Sequence, residues 1–102
     1  MPTYVLLGAL NHEGRKSLHA NPERIAEVRK EITDLGCKVL HQYSLLGPYD
    51  LLTVVEAPDH ETVAHVAADL HSRGTVEVST FPAVDVERLV QKLKGHKKSG
   101  NH

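Results

Sequence analysis

The chain writes one helix grammar twice, each time between β-rich runs. In "NPERIAEVRKEITDLG" (21–36), Asn21 is a capping residue type, Pro22 suits the first helical position and Gly36 is a stop signal. Ile25, Val28, Ile32 and Leu35 recur at three- and four-residue spacing and form one apolar stripe. "PDHETVAHVAADLHSRG" (58–74) repeats the pattern, with Asp59 as cap, Glu61 in the first turn, Val63, Val66, Ala67 and Leu70 as the stripe, and Gly74 as the stop. The flanking runs "TYVLLGAL" (3–10), "CKVLHQYSLL" (37–46), "DLLTVVEA" (50–57) and "TVEVSTFPAV" (75–84) read as strands, with Pro82 suited only to an edge or a strand end. The middle two are separated by a few residues and so form an antiparallel hairpin. Strand–helix–strand written twice predicts an α+β, ferredoxin-like βαββαβ fold, a four-stranded antiparallel sheet with two helices on one face. The right-handed crossover rule leaves few other topologies.

The remaining segments are less regular. "NHEGRKSLHA" (11–20) is polar with one glycine and reads as a connection. "DVERLVQKLK" (85–94) predicts a short amphipathic helix capped by Asp85, and "GHKKSGNH" (95–102), without apolar residues, a flexible polar tail. The expected organisation is therefore a single domain over 1–94 followed by a tail, which 102 residues suit.

Two helices cover only one face of such a sheet, and a face left in water should carry polar residues at alternate positions. These strands do not alternate. In 3–10, Val5, Leu7 and Ala9 oppose Tyr4, Leu6 and Leu10, and in 50–57, Leu51 and Val55 oppose Leu52 and Val54. An apolar face spanning several strands exceeds what monomers ordinarily expose. The expectation is a homo-oligomer, most simply a two-fold dimer with open faces packed together. The alternative is a C-terminal helix folded across the face.

Composition excludes several classes. Net charge is −1 with no block of five like charges, which argues against a nucleic-acid partner. No apolar run approaches a membrane span, and no basic-then-apolar leader opens the chain, so the expected location is cytoplasmic. The single cysteine, Cys37, lacks partners for a disulfide or thiolate zinc site and reads as a small strand-start residue. Isolated Gly8 and Gly14 make no dinucleotide fingerprint, and neither a phosphate loop nor a nucleophile elbow is present, so no cofactor is expected. His65 and Asp69 are one helical turn apart, but His60 and His71 lie elsewhere around that helix, and no metal site is expected.

The stretches "PTYVLLGALNHEGRKSL", "NPERIAEVRKEITDLGCKV", "LLGPYDLLTVVEAPDHETVA" and "GTVEVSTFPAV" together resemble the GYD domain, a bacterial and archaeal family named for a Gly-Tyr-Asp motif. The similarity covers roughly residues 2–93, and the motif departs slightly in that Pro48 stands between Gly47 and Tyr49. The resemblance implies a ferredoxin-like, dimeric α+β barrel and no established reaction. A weaker similarity is to the RAM ligand-sensing domain of leucine-responsive regulators, which also places Gly-x-Tyr-Asp between its middle strands and opens its last strand with a pattern matched loosely by Gly74, Thr75 and Val76. It implies small-ligand binding between subunits. Nothing resembles the accompanying helix-turn-helix.

Two groups of residues are candidates for a ligand site. Gly47 and Pro48 turn the chain sharply, Asp50 can bond backbone amides, and Tyr49 has an apolar ring with a polar tip, so this hairpin is either a rigid interface turn or one wall of a pocket. Period two places Val39, His41, Tyr43 and Leu45 on one side of their strand, with Thr53 joining them if the register allows. A histidine, a phenol and a hydroxyl there would bind a polar molecule or move a proton, or simply pack. The first function expected is an oligomeric small-molecule-binding or regulatory module with its pocket at a subunit boundary. The alternative is a cofactor-independent isomerase or monooxygenase acting on a small organic compound, with His41 as general base, and a third reading is a purely structural component.

Overall fold

The computed structural model describes residues 1–99, with side chains through residue 95. Four strands, β1 (Thr3–Leu10), β2 (Lys38–Ser44), β3 (Leu51–Glu56) and β4 (Val76–Ala83), form one antiparallel sheet in the order β2-β3-β1-β4. Among the described residues the helices are α1 (His12–Ala20), α2 (Arg24–Asp34), α3 (His60–His71) and α4 (Val86–Ser99). This is the expected ferredoxin-like α+β arrangement with one helix more in the first crossover. The proline of β4 sits, as expected, on an edge strand, because among the described residues β4 pairs only with β1.

The polar segment 11–20, expected as a connection, is α1. Asn11 caps it, accepting from the Gly14 amide at 2.9 Å, and also pins it to the start of β4 through its amide to the Thr75 carbonyl (3.1 Å) and its side-chain Nδ2 to the Gly74 carbonyl (2.6 Å). Gly14 makes this approach possible, since a Cβ there would stand 2.3 Å from the Thr75 carbonyl oxygen. Asn21, expected to cap α2, instead ends α1 with its amide on the Ser17 carbonyl; α2 starts after Glu23 with no side-chain cap.

The core lies between the sheet and α2 and α3. Tyr4 and Leu6 from β1, Val55 from β3, Ile32 from α2, and Val63, Val66 and Leu70 from α3 are buried together with Cys37 and Ala57. Asp59 caps α3 as expected, accepting from the Thr62 amide (2.8 Å) and hydroxyl (2.6 Å). Gly36 and Gly74, with φ of 102° and 69°, end α2 and the α3 segment in the left-handed region that glycine adopts without strain.

The helix expected over 85–94 continues through Ser99, and the rest of the expected polar tail, His102 included, lies outside the described residues. α4 does not fold across the open face of the sheet. Val86, Leu89 and Leu93 along it are exposed, and the radius of gyration of 16.7 Å exceeds the roughly 13 Å of a compact chain this long.

Candidate functional site

Register decides which side chains share a face. In β1, Tyr4, Leu6, Gly8 and Leu10 face the helices and Val5, Leu7 and Ala9 face away; pairing carries this parity to Val55, Thr53 and Leu51 on β3 against Val54 and Leu52. In β2 a bulge between Val39 and His41 interrupts the count. Val39 pairs with Val55 and packs against the core, whereas His41 pairs with Val54 and Tyr43 with Leu52. The extra residue, Leu40, therefore separates Val39 from His41, which period-two counting had placed together.

The predicted site residues consequently divide among three places. His41 and Tyr43 stand on the open face, exposed, with rings stacked at 6.2 Å. Thr53 is on the opposite face, buried at 6% exposure, where its Oγ1 accepts from Gln42 Nε2 at 3.3 Å. The register thus answers the condition set for Thr53: it does not join His41 and Tyr43. Gly47, Tyr49 and Asp50 lie at the end of the β2–β3 hairpin. Gly47 takes φ 116°, which its lack of a side chain permits. The Asp50 carboxylate accepts from the Leu10 amide at 2.7 Å and lies 3.9 Å from Arg15 Nε, while its amide donates to the Gly8 carbonyl at 2.8 Å. The Asp50 carboxylate thus holds the hairpin to the end of β1, while its backbone carbonyl closes the turn by accepting from the Leu45 amide at 2.8 Å.

Thr53, alone of the predicted site residues, joins residues that sequence reasoning missed around a cavity of about 100 Å³ between the sheet and α1, α2 and α3. Leu6, Gly8 and Thr53 contribute its floor, with Gln42 beside them; Leu18, Ile25, Val28 and Leu70 line the walls. Arg24 and Arg73 also line it. Gln42 is fixed by Arg29, whose Nε and Nη2 donate to Gln42 Oε1 at 3.1 and 2.9 Å. Arg73 is paired with Glu31. The cavity opens because α2 packs on β2 and α3 on β4, leaving the centre of the sheet between them. Gly8 in a central strand was the one local sign of it, since a strand glycine leaves the space of a side chain unfilled.

Other titratable groups are structural. Tyr4 donates to or accepts from His60 Nδ1 at 2.6 Å, and burial, then the neighbouring Asp59 and Glu61, pushes the phenol up. Burial likewise raises the Cys37 thiol, with Asp59 adding to it, which leaves it a poor nucleophile. The hydrogen bonds from Thr62 hold the Asp59 carboxyl below its ordinary value. Among the described residues no group of three metal-ligating side chains converges, and no helix is long and apolar enough to cross a membrane.

Comparison with known proteins places this architecture. The family described as the GYD domain matches residues 4–93. The chain belongs to the GYD domain family. A relative of this GYD domain from Thermus thermophilus, named glutamine synthetase and cystathionine beta-lyase binding protein, is 46% identical over 95 residues, covering 92% of this chain and 100% of its own. The crystal structure of TTHA0845, also from Thermus thermophilus, superposes with a TM-score of 0.55 at 26% identity, over 83% of this chain and 95% of that one. FFRP-DM1 is similar at the level of the fold alone, with a TM-score of 0.55 and 21% identity over 82% of this chain and 100% of its own.

Proposed function

We propose that this GYD domain is a self-associating, non-catalytic binding module that acts by docking onto other proteins. The observation that carries the reading is the open face of the sheet. Val5, Leu7, Leu52, Val54 and Phe81 lie there as neighbours in register on three adjacent strands, and neither α4 nor any other described element covers them. Phe81 is 47% exposed at the edge of this patch. A second copy packed face to face removes that apolar area from water in both chains at once, as a two-fold contact does. The stacked His41 and Tyr43 lie on the same face and fall within the contact.

α4, with Val86, Leu89 and Leu93 exposed, gives the assembled module a second apolar surface for a different protein. The name of the 46% identical relative supports enzymes as the partner class, because that protein is named for binding glutamine synthetase and cystathionine beta-lyase. The enzyme alternative finds less support. His41, its general base, sits on the face of the sheet opposite the cavity.

Sedimentation of the purified chain at micromolar concentration, alone and with the host's glutamine synthetase and cystathionine beta-lyase, tests both parts. The expected result is a dimer or larger that co-sediments with at least one enzyme, and a Phe81→Asp variant that sediments as a monomer. A wild-type monomer sinks self-association, and an assembly indifferent to both enzymes sinks the partner assignment.

A further inference from the structure

The cavity under α1 and α2 is on the other side of the sheet from the docking face, and its reading stands independently of the one above. Protein cores are packed at the density of organic crystals, with few voids larger than a water molecule. Here a pocket of about 100 Å³, partly open to solvent, remains between the centre of the sheet and the helices. Gly8 on its floor is not required by space: a Cβ there would meet Val76 Cγ2 at 3.4 Å and Leu51 Cβ at 3.9 Å, ordinary contacts, and the backbone φ is not in the left-handed region. A side chain would fit, and its absence keeps the floor low in a strand where glycine is otherwise unfavourable.

The chemistry of the lining is asymmetric. The interior is aliphatic, from Leu6, Ile25, Val28 and Leu70. Such walls hold water poorly, whereas they hold apolar bodies well; an apolar cavity of roughly 150 Å³ accommodates the six carbons of benzene, which scales to a body of about four carbons here. Two arginines line the cavity, but only one has an uncommitted guanidinium. Arg73 is neutralised by Glu31, while Arg24, exposed at the first position of α2, has no side-chain partner among the described residues. A planar guanidinium beside an aliphatic cavity recognises a carboxylate that carries a short apolar tail.

We infer that the sheet–helix cavity is a binding site for a small aliphatic monocarboxylate, its tail over Gly8 and its carboxylate on Arg24. Gln42 and Thr53, held together at one side of the floor, limit how long an unbranched apolar tail can be before it meets a polar wall.

The test is titration of the isotope-labelled full chain, followed by amide NMR, with 3-methylbutanoate and with its neutral counterpart 3-methylbutanamide. The acid is expected to shift the amides of Gly8, Val28 and Thr53, and the amide to bind about tenfold more weakly, the scale of one charge-assisted hydrogen bond. Arg24→Gln is expected to bring the acid down to the affinity of the amide while leaving the amide unchanged. Gly8→Val and Val28→Phe fill the cavity from floor and wall, and each, where its spectrum is that of a folded chain, is expected to abolish both titrations. Equal binding of acid and amide to the wild type, an Arg24→Gln variant that keeps the acid's affinity, filled variants that still bind, or shifts absent from the cavity amides would each overturn the assignment.

Discussion

Replacing Gly14 with alanine tests the least expected element, α1, and with it one wall of the cavity. The added Cβ would lie 2.3 Å from the Thr75 carbonyl oxygen and 3.2 Å from its carbon, against 3.4 Å for an ordinary contact. Since 3.4 less 2.3 is 1.1, α1 must retreat from β4 by about 1 Å. Backbone cannot yield as a side-chain tip does, and overpacking of this kind costs about 1–3 kcal/mol. The retreat also stretches both hydrogen bonds from Asn11, to the Thr75 and Gly74 carbonyls, each worth about 1 kcal/mol. Alanine returns up to about 1 kcal/mol of helix propensity. The balance is a loss of about 3 kcal/mol, or a Tm lower by roughly 12–24 °C for a chain this small. Urea unfolding followed by circular dichroism at one fixed protein concentration measures it, with Gly8→Ala as the companion variant whose new methyl makes only ordinary contacts. A Gly14→Ala protein as stable as the wild type would refute the close approach of α1 to β4.

Two further outcomes follow from groups already placed. Asp50→Ala leaves the Leu10 amide without its acceptor while the backbone bond from residue 50 to Gly8 stays, so urea unfolding should show a loss of about 1–3 kcal/mol, and Asp50→Asn, which keeps an acceptor, a smaller one. The Asp59 carboxyl is held below its ordinary value in the folded chain, so it contributes stability above its unfolded pKa that is lost as pH falls through the folded one. Asp59→Asn should therefore flatten the fall of Tm below about pH 4, and an acid limb identical to wild type would remove Asp59 from the account.

The strands and the two main helices were legible because their signals are local: the stripes ending in Leu35 and Leu70, the cap at Asp59, the stops at Gly36 and Gly74, and Pro82 on an edge. α1 was not, because its sequence is polar and its stability comes from Asn11 and Gly14 meeting residues 74 and 75, about sixty positions away. Asn11 followed by Glu13 was the available start signal, outweighed by a glycine that is there for packing. The candidate site fared unevenly for a similar reason. Asp50 was read as an amide acceptor and is one, yet its partner is on β1; Thr53 and His41 were parted by register; and a void between helices leaves no mark on sequence beyond Gly8.

The bulge at Leu40 changes how related chains should be compared. Because β2 carries one residue more than its partner β3 at that point, counting along the strand without a break matches outward positions of one protein to inward positions of another. A relative one residue shorter there would still turn a ring toward the open side and an amide toward the cavity, but under shifted numbers. Equivalences on the far half of this strand have to be drawn through the pairing with Val54, Thr53 and Leu52 rather than through sequence position.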